Sequence, residues 1–301
     1  MANREDIALE LSEALSSPVA VGAPLAPLTT IRTGGAADYL VTVNSADEIR
    51  AVLQILASHG IGHVTIGSGS NLLVADAGYP GAVLRLGAGF SSAVVDGTTI
   101  EAGGSTKLAQ VVRLAASEGL TGLEFAAGIP GTLGGAIAMN AGSADEWIGR
   151  VVESVDVLTE DGELASWPAD AIEWGYRTTS LRDRVTVLGA SLRLAQGDSA
   201  EIAATMERSQ ARRKATQPLN RPNAGSIFRN PEGESAGRLI ESCGLKGSRV
   251  GGAYISEVHA NFIVTEPGAT SSDVLALMER AAGEVKSRYG IELTPEIRLI
   301  G

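Results

Sequence analysis

The sequence predicts an α+β protein with two or three domains. Its 301 residues exceed one ordinary domain, and a hydrophobic content of 44% supports a sizeable core. Short apolar stretches of β character are interspersed with segments whose apolar residues recur at helical spacing. The 37 glycines indicate many turns and close backbone approaches between these elements.

Polar caps and apolar faces mark the predicted helices. Ser45 and Glu48 form a capping-box pattern at the start of a helix that ends at Gly60. Ser105 or Thr106 is expected to cap a second helix, which ends at Gly119. Further helices are predicted over residues 5–14, 198–214, 235–243 and 271–289.

Strands are predicted where β-branched and apolar residues lie between glycine turns. A hairpin is expected over residues 151–166, turning at Glu160, Asp161 and Gly162. Pro218 and Pro222 favour a domain boundary before Ala224. Other β segments are predicted at residues 29–33, 63–66, 72–74, 81–100, 185–194 and 261–265.

Composition excludes several classes of function. A net charge of −11 argues against a nucleic-acid-binding surface, which needs a basic footprint. The single cysteine, Cys243, excludes an internal disulfide framework and a cysteine-built metal site, and we expect no metal. The sequence shows no secretory signal pattern and no apolar run of membrane-spanning length, so a cytoplasmic protein is expected.

An uncharged, glycine-rich run covers residues 125–142, with the sequence F-A-A-G-I-P-G-T-L-G-G-A-I-A-M-N-A-G. A dense glycine run indicates positive φ angles or close backbone approach by a ligand. Its exposed N–H groups would suit a phosphate or pyrophosphate. A tight turn before a small-residue helix explains the run equally well.

A second run, G-S-G-S-N at residues 67–71, lies between two β segments and favours the ligand interpretation. It is neither a Rossmann fingerprint nor a nucleoside-triphosphate loop, because the helix-opening glycine pattern and the lysine of those motifs are missing. Two phosphate-type loops outside the common nucleotide classes suggest a large dinucleotide bound in another way.

Three later segments carry residues that packing alone would not select. They are G-Y-R at residues 175–177, N-A-G-S-I-F-R-N-P at residues 223–231 and T-P-E-I-R at residues 294–298. Taken singly, each has an ordinary explanation as a surface charge, a turn or an exposed carboxylate.

Together, seven motifs in order resemble the UDP-N-acetylenolpyruvoylglucosamine reductase family over essentially the whole chain. They are T-T-I-R-T-G-G, G-S-G-S-N, A-G-I-P-G-T-L-G-G-A-I-A-M-N-A-G, G-Y-R, A-G-S-I-F-R-N-P, H-A-N-F and P-E-I-R-L-I-G. The short spacing between Arg177 and Ser226 resembles the family's second type, which lacks an inserted tyrosine-bearing loop.

The resemblance implies a two-subdomain FAD-binding fold of the vanillyl-alcohol-oxidase type followed by an α+β substrate domain. The implied division is residues 1–75 and 76–205 for the FAD subdomains and 206–291 for the substrate domain. The tail at residues 292–301 is expected near the second subdomain.

The family's reaction implies NADPH as reductant, non-covalent FAD, and UDP-N-acetylglucosamine enolpyruvate as substrate. Arg177 and a protonated Glu296 would stabilise the developing enolate, and Ser226 would donate the proton. Implied substrate contacts are Tyr176, Lys214, Asn230 and Arg298. Implied FAD contacts are Arg32, Gly67, Ser68, Gly69, Ser70, Asn71, Gly128, Ile129, Pro130, Gly131, Thr132, Gly134, Gly135, Ala138 and Asn140.

Two rival functions stay open on the sequence. An oxidase on the same scaffold would use dioxygen, although oxidation needs a base rather than a protonating serine. A nucleotide-sugar-binding protein would keep a pyrophosphate site without a flavin. Lys214 also has a simpler interpretation, as a solvated helix end beside Arg212 and Arg213.

Overall fold

The computed structural model describes residues 3–143, 145–159 and 161–301. Its helices are α1 Arg4–Glu13, α2 Ala46–Ser58, α3 Leu108–Ser117, α4 Leu133–Ala138, α5 Ser199–Thr216, α6 Ala236–Ser242 and α7 Ser271–Tyr289. None of these helices of the described residues is long and apolar enough to cross a membrane.

The strands are short, and their bounds are as follows. They are β1 Ala20–Pro24, β2 Ala36–Val43, β3 His63–Thr65, β4 Leu72–Val74, β5 Tyr79–Leu86, β6 Ala93–Asp96, β7 Thr99–Gly103, β8 Leu120–Thr121, β9 Val152–Thr159, β10 Leu164–Pro168, β11 Trp174–Gly175, β12 Thr178–Thr179, β13 Val185–Arg193, β14 Ala195–Gln196, β15 Arg249–Val250, β16 Ala253–Ile255, β17 Ile263–Thr265 and β18 Arg298–Ile300.

The chain divides into two compact units. The first comprises the described residues of 1–21, 38–68 and 81–211. The second comprises residues 22–37, 69–80 and 212–301. The three-domain division stays a prediction.

The first unit contains an antiparallel sheet of strand order β10-β9-β13-β7-β6. Apolar residues of α3 and α4 join this sheet in one core, including Leu108, Val112, Leu133 and Ile137. A second sheet has the order β1-β2-β5-β3, with β3 and β5 parallel. Most of its residues belong to the first unit, and α1 and α2 cover it with a separate apolar cluster.

The second unit is built on two small sheets and the long helix α7. Strands β15, β16 and β17 form an antiparallel sheet, and β18 pairs in parallel with β4. Val274, Leu277 and Ala281 of α7 are buried in the core of this unit. The N-terminal end of α7 is fixed by Asp76, whose carboxylate accepts hydrogen bonds from the Ser271 and Ser272 amides.

The predicted hairpin is confirmed, and so are the helix predicted between Ser45 and Gly60 and the helix predicted over residues 271–289. Glu160 of the predicted turn lies outside the described residues. The capping box at Ser45 is only half present, because Glu48 accepts from the Asn44 amide instead of the Ser45 amide.

Two predictions of local structure are wrong. Residues 29–33 form no strand. Thr29 instead turns the chain, because its hydroxyl accepts a hydrogen bond from the Arg32 amide at 3.0 Å. Neither Ser105 nor Thr106 caps α3, since both hydroxyls donate to carbonyls of earlier residues and Lys107 is the cap residue.

Candidate active site

The two glycine-rich runs meet inside the first unit at Gly67 and Thr132. A β-carbon built on Gly67 would lie 2.6 Å from Thr132 Oγ1, closer than any ordinary contact. The absence of a side chain at Gly67 is therefore what allows this approach. Thr132 in turn caps α4, since its hydroxyl accepts from the Gly135 amide at 3.3 Å.

The backbone around Thr132 has conformations that favour glycine. Gly128 has φ +85° and Gly131 has φ +135°, values that a side chain would make costly. Gly134 packs closely on the Gly104 carbonyl, where a β-carbon would lie 3.1 Å from the oxygen. The glycine pattern thus has a structural cause at each of these positions, in addition to any ligand.

Lys107 was not singled out by the sequence, yet it lies at the meeting point of the two runs. It lies opposite Thr132 in antiparallel register, and its ammonium group donates a hydrogen bond to Ser68 Oγ at 2.9 Å. The lysine follows a G-G-S-T stretch whose serine or threonine the sequence predicts as a helix cap. A cation at the end of a glycine-rich loop was the signal that could have identified it.

Arg177 occupies the turn of a two-residue hairpin between β11 and β12. Its φ is +58°, in a region that this turn position normally gives to glycine or asparagine. An arginine in this conformation costs about 1–3 kcal/mol and persists only where the surroundings enforce it. Backbone strain of this kind is concentrated at functional positions.

The end of α4 supplies the contacts that enforce this turn. Asn140 Nδ2 donates to the Gly175 carbonyl at 2.9 Å, and Thr179 Oγ1 donates to the Ala138 carbonyl at 3.0 Å. Asn140 is itself buried, with φ +43°, and its Oδ1 accepts from the Gly149 amide. The glycine-rich segment therefore positions the Arg177 hairpin, a link that the sequence alone does not reveal.

The segments that carry Ser226 and Glu296 pair with each other in the second unit. The Glu296 amide donates to the Ile227 carbonyl at 2.7 Å, and the Arg229 amide donates to the Thr294 carbonyl at 2.9 Å. The segment that begins at Ser226 therefore runs alongside the P-E-I-R segment. Ser226 is half-buried, and Glu296 is only 9% exposed.

Asn71 connects the G-S-G-S-N run to the Glu296 segment. Its Nδ2 donates to the Glu296 carbonyl at 3.1 Å, and its own carbonyl accepts from the Arg298 amide at 3.0 Å. These contacts continue the pairing of β4 with β18. Asn71, which is predicted as a cofactor residue, is thus hydrogen-bonded within one unit to Glu296, which is predicted as a catalytic residue.

The other predicted site residues lie at the following places. Arg32 is exposed on a loop with φ +60°, and Thr30 beside it bonds to Gly69 and Asn223. Lys214 is exposed in the last turn of α5. Asn230 Oδ1 accepts from the Ala236 amide, so this side chain also stabilises its own loop. Tyr176 is 45% exposed beside Arg177.

The predicted site residues are divided between the two compact units. Gly67, Ser68, Tyr176, Arg177 and the predicted residues from Gly128 to Asn140 belong to the first unit. Gly69, Ser70, Asn71, Arg32, Lys214, Ser226, Asn230, Glu296 and Arg298 belong to the second.

His259 acts as a hydrogen-bond acceptor. Its Nδ1 accepts from the Asn261 amide at 3.2 Å, and its ring contacts Phe262 edge to face. Burial lowers the pKa of the His259 imidazole, with the Lys246 charge acting in the same direction. The neutral ring that results can accept this hydrogen bond, which agrees with a structural role.

Comparison with known proteins defines the class first. Residues 37–166 match the family of FAD-binding domains, and residues 217–300 match the C-terminal domain of UDP-N-acetylenolpyruvoylglucosamine reductase. With the mixed helix and strand content, these matches confirm the predicted α+β fold with an FAD-binding domain. The chain is thus a flavin-dependent oxidoreductase.

Individual relatives narrow the class to one family. UDP-N-acetylenolpyruvoylglucosamine reductase of Anaeromyxobacter dehalogenans is 47% identical over 93% of this chain and 84% of its own length. The crystal structure of the Thermus caldophilus reductase matches 94% of this chain and 98% of its own, at 36% identity and a TM-score of 0.82. This chain belongs to the UDP-N-acetylenolpyruvoylglucosamine reductase family.

A more distant structure shares the fold alone. The structure of Physcomitrella patens BBE-like 1 matches 95% of this chain and 89% of its own at 12% identity, with a TM-score of 0.59.

Proposed function

We propose that this protein reduces UDP-N-acetylglucosamine enolpyruvate to UDP-N-acetylmuramate, with NADPH as the reductant. The reaction would serve peptidoglycan synthesis in the cytoplasm, and through it cell-wall biogenesis, cell shape and cell division. One observation within the family fold carries the proposal: the backbone pairing that aligns the Ser226 segment with the Glu296 segment.

The residues of the first unit fit a flavin dinucleotide. Gly67 and Thr132 meet so closely that a β-carbon would block the approach, and Gly128 and Gly131 have φ angles that favour glycine. Backbone N–H groups free of side chains can approach a diphosphate. Both glycine-rich runs would therefore hold FAD without a covalent bond, together with Arg32 and the other residues predicted above.

FAD held by these residues would supply hydride chemistry between NADPH and the methylene carbon of the enolpyruvyl group. Negative charge then develops on the substrate carboxylate. We assign Arg177 to stabilise this charge, since its hairpin is fixed by Asn140 at a costly φ angle. A fixed cation needs no reorganisation when the charge appears.

Glu296 is assigned to the same role in its protonated form. The Glu296 amide bonds to the Ile227 carbonyl, and the Glu296 carbonyl bonds to the Asn71 side chain. The backbone that carries the carboxyl group is therefore held in place on both sides. The neutral acid donates a hydrogen bond, whereas a carboxylate would repel the enolate. Burial beside an anionic substrate favours the neutral acid.

Ser226 is assigned as the proton donor to the carbon next to the substrate carboxylate. A serine hydroxyl is a weak acid in water, so its position relative to the basic enolate carbon matters more than its acidity. Lys214, Asn230, Arg298 and Tyr176 are assigned to the UDP-sugar, where Lys214 would act as a point charge on the diphosphate.

Anaerobic spectroscopy tests the proposal. The purified protein should be yellow, NADPH should bleach the flavin, and the enolpyruvyl substrate should restore the colour. Reoxidation by air much faster than by substrate would favour an oxidase instead. A colourless protein that cannot be reconstituted with FAD would favour a nucleotide-sugar-binding protein.

A further inference from the structure

Asn261 lies in the H-A-N-F segment, to which the reaction above assigns no role. It is 3% exposed and lies directly against the segment that begins at Ser226. Its side chain makes two hydrogen bonds to one residue: Oδ1 accepts from the Phe228 amide at 3.0 Å, and Nδ2 donates to the Phe228 carbonyl at 2.8 Å. Its own carbonyl accepts from the Ile227 amide at 2.9 Å.

These three bonds replace a missing strand neighbour. Phe228 lies opposite Pro295 in a non-hydrogen-bonded pair, because the Ile227 carbonyl and the Arg229 amide make the bonds to the segment that contains Thr294 and Glu296. The amide and carbonyl of Phe228 therefore point to the other side. The amide and carbonyl of Phe228 both bond to Asn261. Because buried backbone groups need partners, the Asn261 amide takes the part that a neighbouring peptide group has in a sheet.

The backbone on the other side of Ser226 is also fixed. The Gly225 amide donates to Asn223 Oδ1 at 2.9 Å, and Gly225 has φ +78°. Ser226 therefore lies between a glycine in the left-handed region of φ and two residues bonded to Asn261. The position of a proton donor relative to its acceptor carbon must be correct to within a fraction of an ångström. A displacement of about 1 Å can slow the reaction by about 100-fold.

We infer that Asn261 is a positioning residue for Ser226, acting through Phe228 and Ile227 during protonation of the substrate. This inference rests on the proposed function, because it assigns Asn261 to the protonation step alone. Hydride transfer into the flavin does not involve Ser226, so it should not depend on Asn261.

The test variant is Asn261→Asp, compared with wild type in both anaerobic half-reactions. The carboxylate keeps the acceptor for the Phe228 amide but loses the donor to the Phe228 carbonyl. At about pH 8 we expect reoxidation by the enolpyruvyl substrate to slow about 10–100-fold, while reduction by NADPH stays within about threefold of wild type. Asn44→Asp is the matched control, since Asn44 donates to Ser16 and Ser17 in the first unit.

Acid should rescue the variant. A protonated carboxyl group again carries one donor and one acceptor, and burial raises the pKa of such a group. The ratio of variant to wild-type reoxidation rates should therefore rise as the pH falls to about 6. The ratio compares two proteins that share the other charged groups around residue 261, namely His259, whose Nδ1 bonds to the amide of that residue, and Glu241 and Lys246 near that histidine.

Equal slowing of both half-reactions, or unchanged reoxidation at every pH, would overturn the inference. Wild-type flavin that substrate fails to reoxidise would instead overturn the proposed function. If Asn261→Asp does not fold, Asn261→Gln replaces it: its longer side chain should give the same split between half-reactions without acid rescue. An equal loss in both half-reactions of that variant would again refute the positioning role.

Discussion

Gly67→Ala tests whether stability and FAD binding require the close contact between the two glycine-rich runs. The new β-carbon would lie 2.6 Å from Thr132 Oγ1, so the hydroxyl must retreat by roughly 1 Å to reach ordinary contact distance. That movement removes the cap that Thr132 places on the Gly135 amide. Overpacking costs about 1–3 kcal/mol, and a lost cap costs about 1 kcal/mol.

The expected losses are measurable in two assays. Urea unfolding of the FAD-free protein should show a destabilisation of about 2–4 kcal/mol. Titration of FAD into the same protein should show at least about tenfold weaker binding, equivalent to about 1.4 kcal/mol. Gly283→Ala is the matched control, because it lies inside α7 and no atom beyond its chain neighbours and its own helical backbone lies within 4 Å of the added β-carbon. It should stabilise the protein by about 0.4–1 kcal/mol.

A double-mutant cycle isolates the contact itself. Thr132→Ala removes the clashing oxygen and leaves the Thr132 β-carbon at 3.6 Å, an ordinary contact distance. Adding Gly67→Ala to this variant should therefore cost almost nothing further in stability or FAD affinity. A double variant that loses the full sum of the two single losses would refute the reasoning, as would a Gly67→Ala protein indistinguishable from wild type.

Three further predictions concern charge, strain and pH. Lys107→Met should weaken FAD binding several-fold and reduce its salt dependence, since the ammonium group lies beside Ser68; identical titrations at low and high salt would exclude a role. Arg177→Gly should raise the unfolding free energy by about 1 kcal/mol, because φ is +58°, while slowing substrate reoxidation about 100-fold or more. Stability lost together with activity would contradict this. Because burial holds the pKa of His259 below its unfolded value of about 6.5, the unfolded chain binds the proton first and stability should fall as the pH drops below about 6.5. His259→Asn should flatten that decline in urea titrations between about pH 7 and pH 5, and an unchanged slope would contradict the assignment.

Local elements were predictable because their causes are local. The residues that form the apolar face of α7 and its final glycine are close together in sequence. The same holds for the two strands of the β9–β10 hairpin, which are separated by only a short turn. The error at Ser105 and Thr106 has the opposite cause. Both hydroxyls bond to carbonyls more than ten residues away in sequence, and such partners leave no mark on the local pattern.

The assembly of the candidate site was less accessible to sequence reasoning. Asn71 and Glu296 are separated by 225 residues, and only the fold brings their backbones together. The family motifs indicated that both matter, but not that one amide bonds to the other's carbonyl. Asn140 is predicted as a cofactor residue, and the sequence does not reveal that its side chain also bonds to the Gly175 carbonyl of the Arg177 hairpin.

Stopped-flow reoxidation of the reduced Ser226→Ala enzyme tests directly whether Ser226 protonates the substrate. With oxygen excluded, NADPH should reduce the variant's flavin at nearly the wild-type rate. Mixing with UDP-N-acetylglucosamine enolpyruvate should then return the flavin absorbance about 10²–10⁴-fold more slowly than in wild type. Wild-type reoxidation, or equal losses in both half-reactions, would contradict the assignment of this hydroxyl.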